Sequence, residues 1–128
     1  MDFNSILIGS DDPDRLVEYY RKLFGEPVFS GGGYTVWSIG SGSITVGPHS
    51  EVHGKNQHPG RLIWNISTPN VAQEFERMKA AGATVIQEPY SYEGEDASIA
   101  TFADPDDNYF QLMTPMDPDA MNEAAAEG

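Results

Sequence analysis

The sequence predicts an α+β fold in which two βαβββ repeats form a curved mixed sheet around a cavity. Three observations predict it. Two sixteen-residue stretches carry matching helix signals, each has one short apolar strand before it and three after it, and clusters of Gly, Pro, Asp and Asn separate the strands. At 128 residues the chain can bury a core within one compact domain. That domain is expected over 1–116, with modules at about 1–48 and 60–116, a linker at 49–59 and an acidic tail at 117–128.

The first repeat opens with the apolar run "SILIG", Ser5 to Gly9. The helix signal follows in "SDDPDRLVEYYRKLFG". Asp12 offers an oxygen acceptor at the N-cap, Pro13 fixes φ at the first helical position, and Gly25 suits the left-handed residue past a helix end. Between them Leu16, Val17, Tyr20, Leu23 and Phe24 make one apolar stripe. The runs "PVFSG", "YTVWSIG" and "SITVG" supply three strands. After the linker "PHSEVHGKNQHPG" the pattern returns: the strand "RLIWNI", then "STPNVAQEFERMKAAG", with Thr68 before Pro69 as cap, Gly82 as stop, and Val71, Phe75 and Met78 as its stripe. The strands "ATVIQEP", "SIATFAD" and "NYFQLMT" complete it, with a longer insertion placed at Pro89 to Ala97. The ending "MDPDAMNEAAAEG" holds four acids and no base, so it is expected to fray.

Composition excludes several function classes. The chain has no cysteine, which removes disulfides, thiolate metal sites and cysteine nucleophiles together. A net charge of −13 repels a phosphate backbone, so no nucleic-acid partner is expected. The same charge suits a cationic ligand, or simply keeps the protein soluble. No apolar run approaches the roughly 18 residues of a membrane span, and the N-terminus lacks the marks of a signal peptide, so the expectation is a cytoplasmic protein with no membrane partner.

The helix end "EYYRKLFG" and the turn and strand "DPDDNYFQL", at these places in a doubled βαβββ pattern, resemble the vicinal oxygen chelate superfamily. That superfamily includes glyoxalase I, extradiol dioxygenases, fosfomycin-resistance enzymes and bleomycin-resistance proteins. The likeness runs nearly to Pro115 and departs at Asp107, where the family usually has glycine. It implies a homodimer, often with ligand crevices completed by the partner. It also implies that a metal, where present, is held by His and Glu from the first and last strands of each half. Here those positions fall at Ser5 or Asn4, at Arg61 or Leu62, at Thr45 and at Gln111. Neutral or cationic side chains offset the dehydration of a dication poorly, so neither metal nor other cofactor is expected. His49, His53, His58 and Glu51 have ligand-like spacing, but they sit in the Gly/Pro-punctuated linker and read as surface residues.

Strand alternation nominates the residues that face the cavity. It places Thr45 there from "SITVG", Arg61, Ile63 and Asn65 from "RLIWNI", and Tyr109, Gln111 and Met113 from "NYFQLMT". Trp37 and Tyr92 are candidate aromatic walls, with core packing the alternative for Trp37. Arg61 reads equally as an anion-binding group or as half of a surface ion pair. Gln111 can give and accept hydrogen bonds with an uncharged ligand. None of these strand positions offers Asp, Glu or His to move a proton. The expected function is therefore metal-independent binding of a small molecule, antibiotic sequestration included. The alternative is a metal-dependent lyase, isomerase or dioxygenase of the glyoxalase type.

Overall fold

The computed structural model describes residues 1–91 and 97–115, so Tyr92 and the tail expected at 117–128 lie outside the described residues. The first half comprises β1 (Ser5–Ser10), α1 (Pro13–Phe24), β2 (Phe29–Gly31), β3 (Tyr34–Ile39) and β4 (Gly42–Pro48). The second comprises β5 (Trp64–Ser67), α2 (Val71–Ala80), β6 (Thr84–Ser91), β7 (Ser98–Ala103) and β8 (Tyr109–Met113). Both halves follow the expected βαβββ order. Each makes a four-stranded mixed sheet, β1-β4-β3-β2 and β5-β8-β7-β6. The pairs β1–β4 and β5–β8 are parallel, since a helix and two antiparallel connections return the chain in its first direction, and the remaining pairs are antiparallel.

Two element starts differ from expectation. The strand β5 begins at Trp64 rather than Arg61, because residues 61 and 62 form bends after the linker. The helix α2 begins at Val71 with Asn70 as its N-cap, so Thr68 and Pro69 lie before it. Both helices start by the same device all the same. The hydroxyl oxygen of Ser10 accepts the backbone N–H of Asp12 at 3.0 Å, and that of Thr68 accepts the N–H of Asn70 at 3.2 Å. A hydroxyl bonded two residues on turns the chain into the helix, and neither N-cap side chain makes a cap hydrogen bond of its own. At the other end of α1, Gly25 takes φ +83 and its N–H closes on the carbonyl of Arg21 at 2.8 Å.

Each helix lays its stripe on its own sheet. Leu16, Tyr20 and Leu23 of α1 are buried, as are Val71, Phe75 and Met78 of α2. From the strands, Trp37, Ile44, Val46, Ala100, Phe102, Phe110 and Leu112 join them in one core cluster, with Trp37 against Tyr20 of α1 and Phe102 against Phe75 of α2. The two halves join through aromatic packing. Tyr20 lies 6.1 Å from both Trp64 and Phe110, and Phe24 lies 6.2 Å from Trp64. Such pairs each add about 0.5–1.5 kcal/mol beyond the area they bury.

A polar clamp completes the join, built from the turn Asp104 to Asn108 between β7 and β8. The carboxylate of Asp106, 3% exposed, accepts the Ser10 hydroxyl at 2.6 Å and also pairs with Arg15 on α1. The carboxylate of Asp104 accepts the Tyr20 hydroxyl at 2.7 Å and, on its other oxygen, the backbone N–H groups of Asp106 at 2.9 Å and Asn108 at 3.0 Å. Tyr19 donates to the Ala103 carbonyl at 2.9 Å. The linker is tied in as well: the N–H of Asn56 reaches the Asp106 carbonyl at 2.8 Å, and that of Gly54 reaches the Asp11 carboxylate at 2.7 Å. Sequence reading gave this turn only a local role. The turn still meets its local demand, with Asp107 in the left-handed region at φ 62.

Burial holds the Asp104 carboxyl above its usual range, against the opposing pull of its hydrogen bonds from Tyr20, Asn108 and Asp106. Burial, reinforced by the neighbouring Asp104, also pushes the Tyr20 phenol well above its ordinary value. Because the folded state binds the Asp104 proton more tightly than the unfolded chain does, this group favours the fold most at low pH. That contribution fades as pH rises from the unfolded value of 3.8 through the folded one. Urea unfolding of wild type and Asp104→Asn across this window should show the difference shifting against the wild type as pH rises. In a separate variant, Asp106→Ala should lower unfolding free energy by about 2 kcal/mol, since it leaves the buried Ser10 hydroxyl proton without an acceptor and Arg15 without this partner. An unchanged urea midpoint would mean that the clamp contributes nothing to the join.

Candidate functional site

The strands β1 and β5 each form one edge of their sheet, and a groove of about 680 Å³ runs between them. Consecutive residues line it: 6 to 9 from β1 and 62 to 66 at and before β5. A cavity against the face of a sheet would take every second residue. The groove therefore meets both strands edge-on, and the two faces of each strand contribute.

Its two banks correspond through the repeat. Ile6, Leu7 and Ile8 stand on one bank where Trp64, Asn65 and Ile66 stand on the other; Ile6 pairs with Ile44 as Trp64 pairs with Phe110, and Leu7 with Thr45 as Asn65 with Gln111. Ile39, Ile44, Leu62 and Ile63 extend the apolar walls, while Asn56, Asn108 and Tyr109 put polar groups at one end. Among the described residues that line the groove there is no Asp, Glu, Lys, Arg or His. A charged ligand would leave water here for walls that return no counter-charge, which is costly.

One polar group in the walls stands out. The indole nitrogen of Trp64 is buried and has no hydrogen-bond partner among the described residues. An orphaned buried donor costs about 1–3 kcal/mol. The other tryptophan differs, since the indole N–H of Trp37 donates to the Gly25 carbonyl at 2.9 Å.

The nominated residues distribute as follows. Asn65 and Tyr109 line the groove. Thr45, Gln111 and Met113 occupy the faces turned away from the helices, as alternation places them, but they stand outside the groove because it meets the sheets at their edges. Gln111 instead donates to the Thr101 hydroxyl at 3.1 Å, within a row Asn65–Gln111–Thr101–Gln87 that crosses all four strands. The equivalent row of the first sheet is Leu7–Thr45–Val36–Phe29. Trp37 is a correction: it is 1% exposed and packs 6.2 Å from Tyr20 in the core, because its place beside Ile44 puts it on the helix side of β3. Arg61 is exposed in the bend before β5 and stands outside the groove lining. Sequence reading missed the groove roles of Asn56 and Asn108, which sit in the linker and the hairpin turn and bond to each other at 3.1 Å. No local signal marks them, since only the docking of the halves brings them to the groove.

The metal positions implied by the family likeness do not fit an ion. Thr45 and Gln111 supply a hydroxyl and an amide, and among the described residues no group of three His, Asp or Glu could hold a metal. His49 of the linker packs against β1, so closely that a Cβ on Gly9 would come within 2.9 Å of the histidine Cβ.

A family model described as a glyoxalase-like domain matches residues 5–113. No protein of curated function matches the chain in sequence. Among solved structures, the chain is similar to a glyoxalase/bleomycin resistance protein from Catenulispora acidiphila (TM-score 0.68, 15% identity, 91% of this chain and 99% of that one). It is also similar to the fosfomycin resistance protein FosX from Listeria monocytogenes (0.68, 16%, 91% and 94%) and to TioX from Micromonospora sp. ML1 (0.67, 18%, 90% and 100%). At these identities the likeness shows the fold.

Proposed function

We propose that this chain, which belongs to the glyoxalase-like family, binds an uncharged small molecule in the groove between β1 and β5 and holds it without a metal ion. The observation that carries this reading is the groove's lining. Its walls are apolar or neutral-polar, so burial of an apolar scaffold supplies the affinity and a few amide and hydroxyl groups supply the orientation. The acidic surface of the chain does not extend into these walls, and a cationic ligand finds no counter-charge in them. The glyoxalase-type alternative needs anionic or imidazole donors that the corresponding positions do not carry. Tyr109 apart, the lining holds no side chain suited to general acid–base work, which favours sequestration over turnover. Antibiotic sequestration is the form of this reading that the bleomycin-resistance neighbour suggests.

The reading includes a homodimer. Leu7 at 54% exposure, Phe29 at 58% and Leu62 at 83% leave apolar surface beside two edge strands, a combination that a second copy of the chain would cover.

Elemental analysis of purified protein should find no stoichiometric Ni, Zn, Fe or Mn; one ion per chain would restore the enzyme alternative. In thermal-shift titrations, neutral aromatic compounds should stabilise the protein by an amount insensitive to salt, while matched cations and carboxylates should not. Light scattering on the eluting protein should give twice the chain mass of 14.0 kDa, and a monomer at micromolar concentration would remove the homodimer from the reading.

A further inference from the structure

We propose that the groove takes a neutral peptide in extended conformation, which enters as a strand between β1 and β5 and bonds through its main-chain amides to the free edges of both. This inference rests on the uncharged-ligand reading above and narrows it to a chemical class.

A strand pairs through N–H and C=O groups that lie in the plane of its sheet, with successive residues turning them to opposite sides. Because β1 has only β4 beside it and β5 only β8, every second residue of each turns its backbone groups toward the free edge, where the groove lies. Among the described residues, Ser5 to Gly9 and Ile63 to Ser67 make no backbone bond outside these two ladders. The outer edges are blunted: β2 is three residues long, and β6 carries Glu88 and Pro89 and slips register twice against β7. The inner edges lack these defences. Their sequences, SILIGS and WNIS, hold no charge and no proline, and their ladders run unbroken through six and four residue pairs.

The space suits one chain. The shorter bank, 62 to 66, is about 16 Å long in extended chain, so a groove of about 680 Å³ has a cross-section of roughly 40 Å², close to that of one strand at about 4.8 by 10 Å. Two unblunted edges on either side of such a space are the setting for strand addition. β1 ends at the clamp, where Ser10 meets Asp106, and β5 begins beside that turn, so the banks run in opposite senses. The added chain would run with one and against the other, as β4 already does between β1 and β3 and β8 between β5 and β7. Alternate side chains of the guest meet the core side of the groove, where Ile6, Ile8, Trp64 and Ile66 are apolar, and the others meet Leu7 and Asn65 at the open face. A peptide with an apolar residue at every second position and no charge is the sequence these walls select.

The blocked peptide Ac-Thr-Val-Thr-Val-Thr-NH2 and its depsipeptide, in which esters replace both valine amides, share one shape and differ by two N–H groups. Wild-type protein should bind the peptide about tenfold more tightly than the depsipeptide, since two main-chain hydrogen bonds are lost. Amide hydrogen exchange followed by NMR locates the contact. The peptide should slow exchange at every second residue along Ser5–Ser10 and Trp64–Ser67 and leave β2 and β6 unchanged. Equal affinities for the two, or slowing at β2 or β6 instead, would overturn the strand-addition proposal while leaving the uncharged-ligand reading in place. So would failure of the peptide to bind a protein that neutral aromatic compounds stabilise. Protection of both inner edges in the free protein that grows with its concentration would assign them to a second copy and overturn the proposal. Binding of neither the peptide nor the neutral aromatic compounds would overturn both.

Discussion

Asp106 sits in a hairpin turn of the second half, yet its carboxylate is spent on the first, where it takes the Ser10 hydroxyl and the Arg15 guanidinium. Two residues earlier, Asp104 takes the Tyr20 hydroxyl in the same way. Two buried acids in one tight turn thus fix the distance and rotation between the halves at one end, while Tyr20 and Phe24 against Trp64 and Phe110 fix them along the core. The groove is what this docking leaves between β1 and β5. Its width is therefore set by the docking contacts, and Trp64 and Asn108 belong to both systems, one in the aromatic join and the other as a partner of Asp104. Burying acids is expensive, and the expense is tolerable here because each carboxylate has several donors.

The edge-on geometry explains why the site is neutral. Residues on a sheet face alternate with core residues, so a face-on site can take polar side chains from every second position at no loss to the core. An edge-on site draws on both faces, and part of its walls are then residues that also serve the core, such as Ile8, Ile44 and Trp64. Charges on those positions would be charges in the core. Neutrality of the walls follows from where the groove lies.

Much of the fold was legible in the sequence. Both helix stripes, the order of the eight strands along the chain and the helix side of β4, β5 and β8 follow from spacing alone, because period and burial are local properties of the chain. The start of α2 was misplaced at Pro69, since a proline with a hydroxyl residue before it reads as a helix start whether or not the hydroxyl instead bends the chain two residues earlier. The site was less legible. Alternation placed Gln111 and Thr45 on the correct faces, but it could not say that the cavity would form along edges instead. Trp37 points its donor at Gly25 while that of Trp64 meets no partner among the described residues, a difference that exists only after docking. The clamp was invisible for a related reason, since "DPDDN" satisfies a turn by itself.

The correspondence between the banks has a last consequence. A doubled frame offers a guest two equivalent poses, related by the rotation that exchanges one repeat for the other. Here the exchange replaces Leu7 with Asn65 and Ile6 with Trp64, so the two poses are no longer alike. A molecule with one polar edge has only one way round that serves it. Divergence of a few positions after repetition has given a symmetric scaffold a sense of direction.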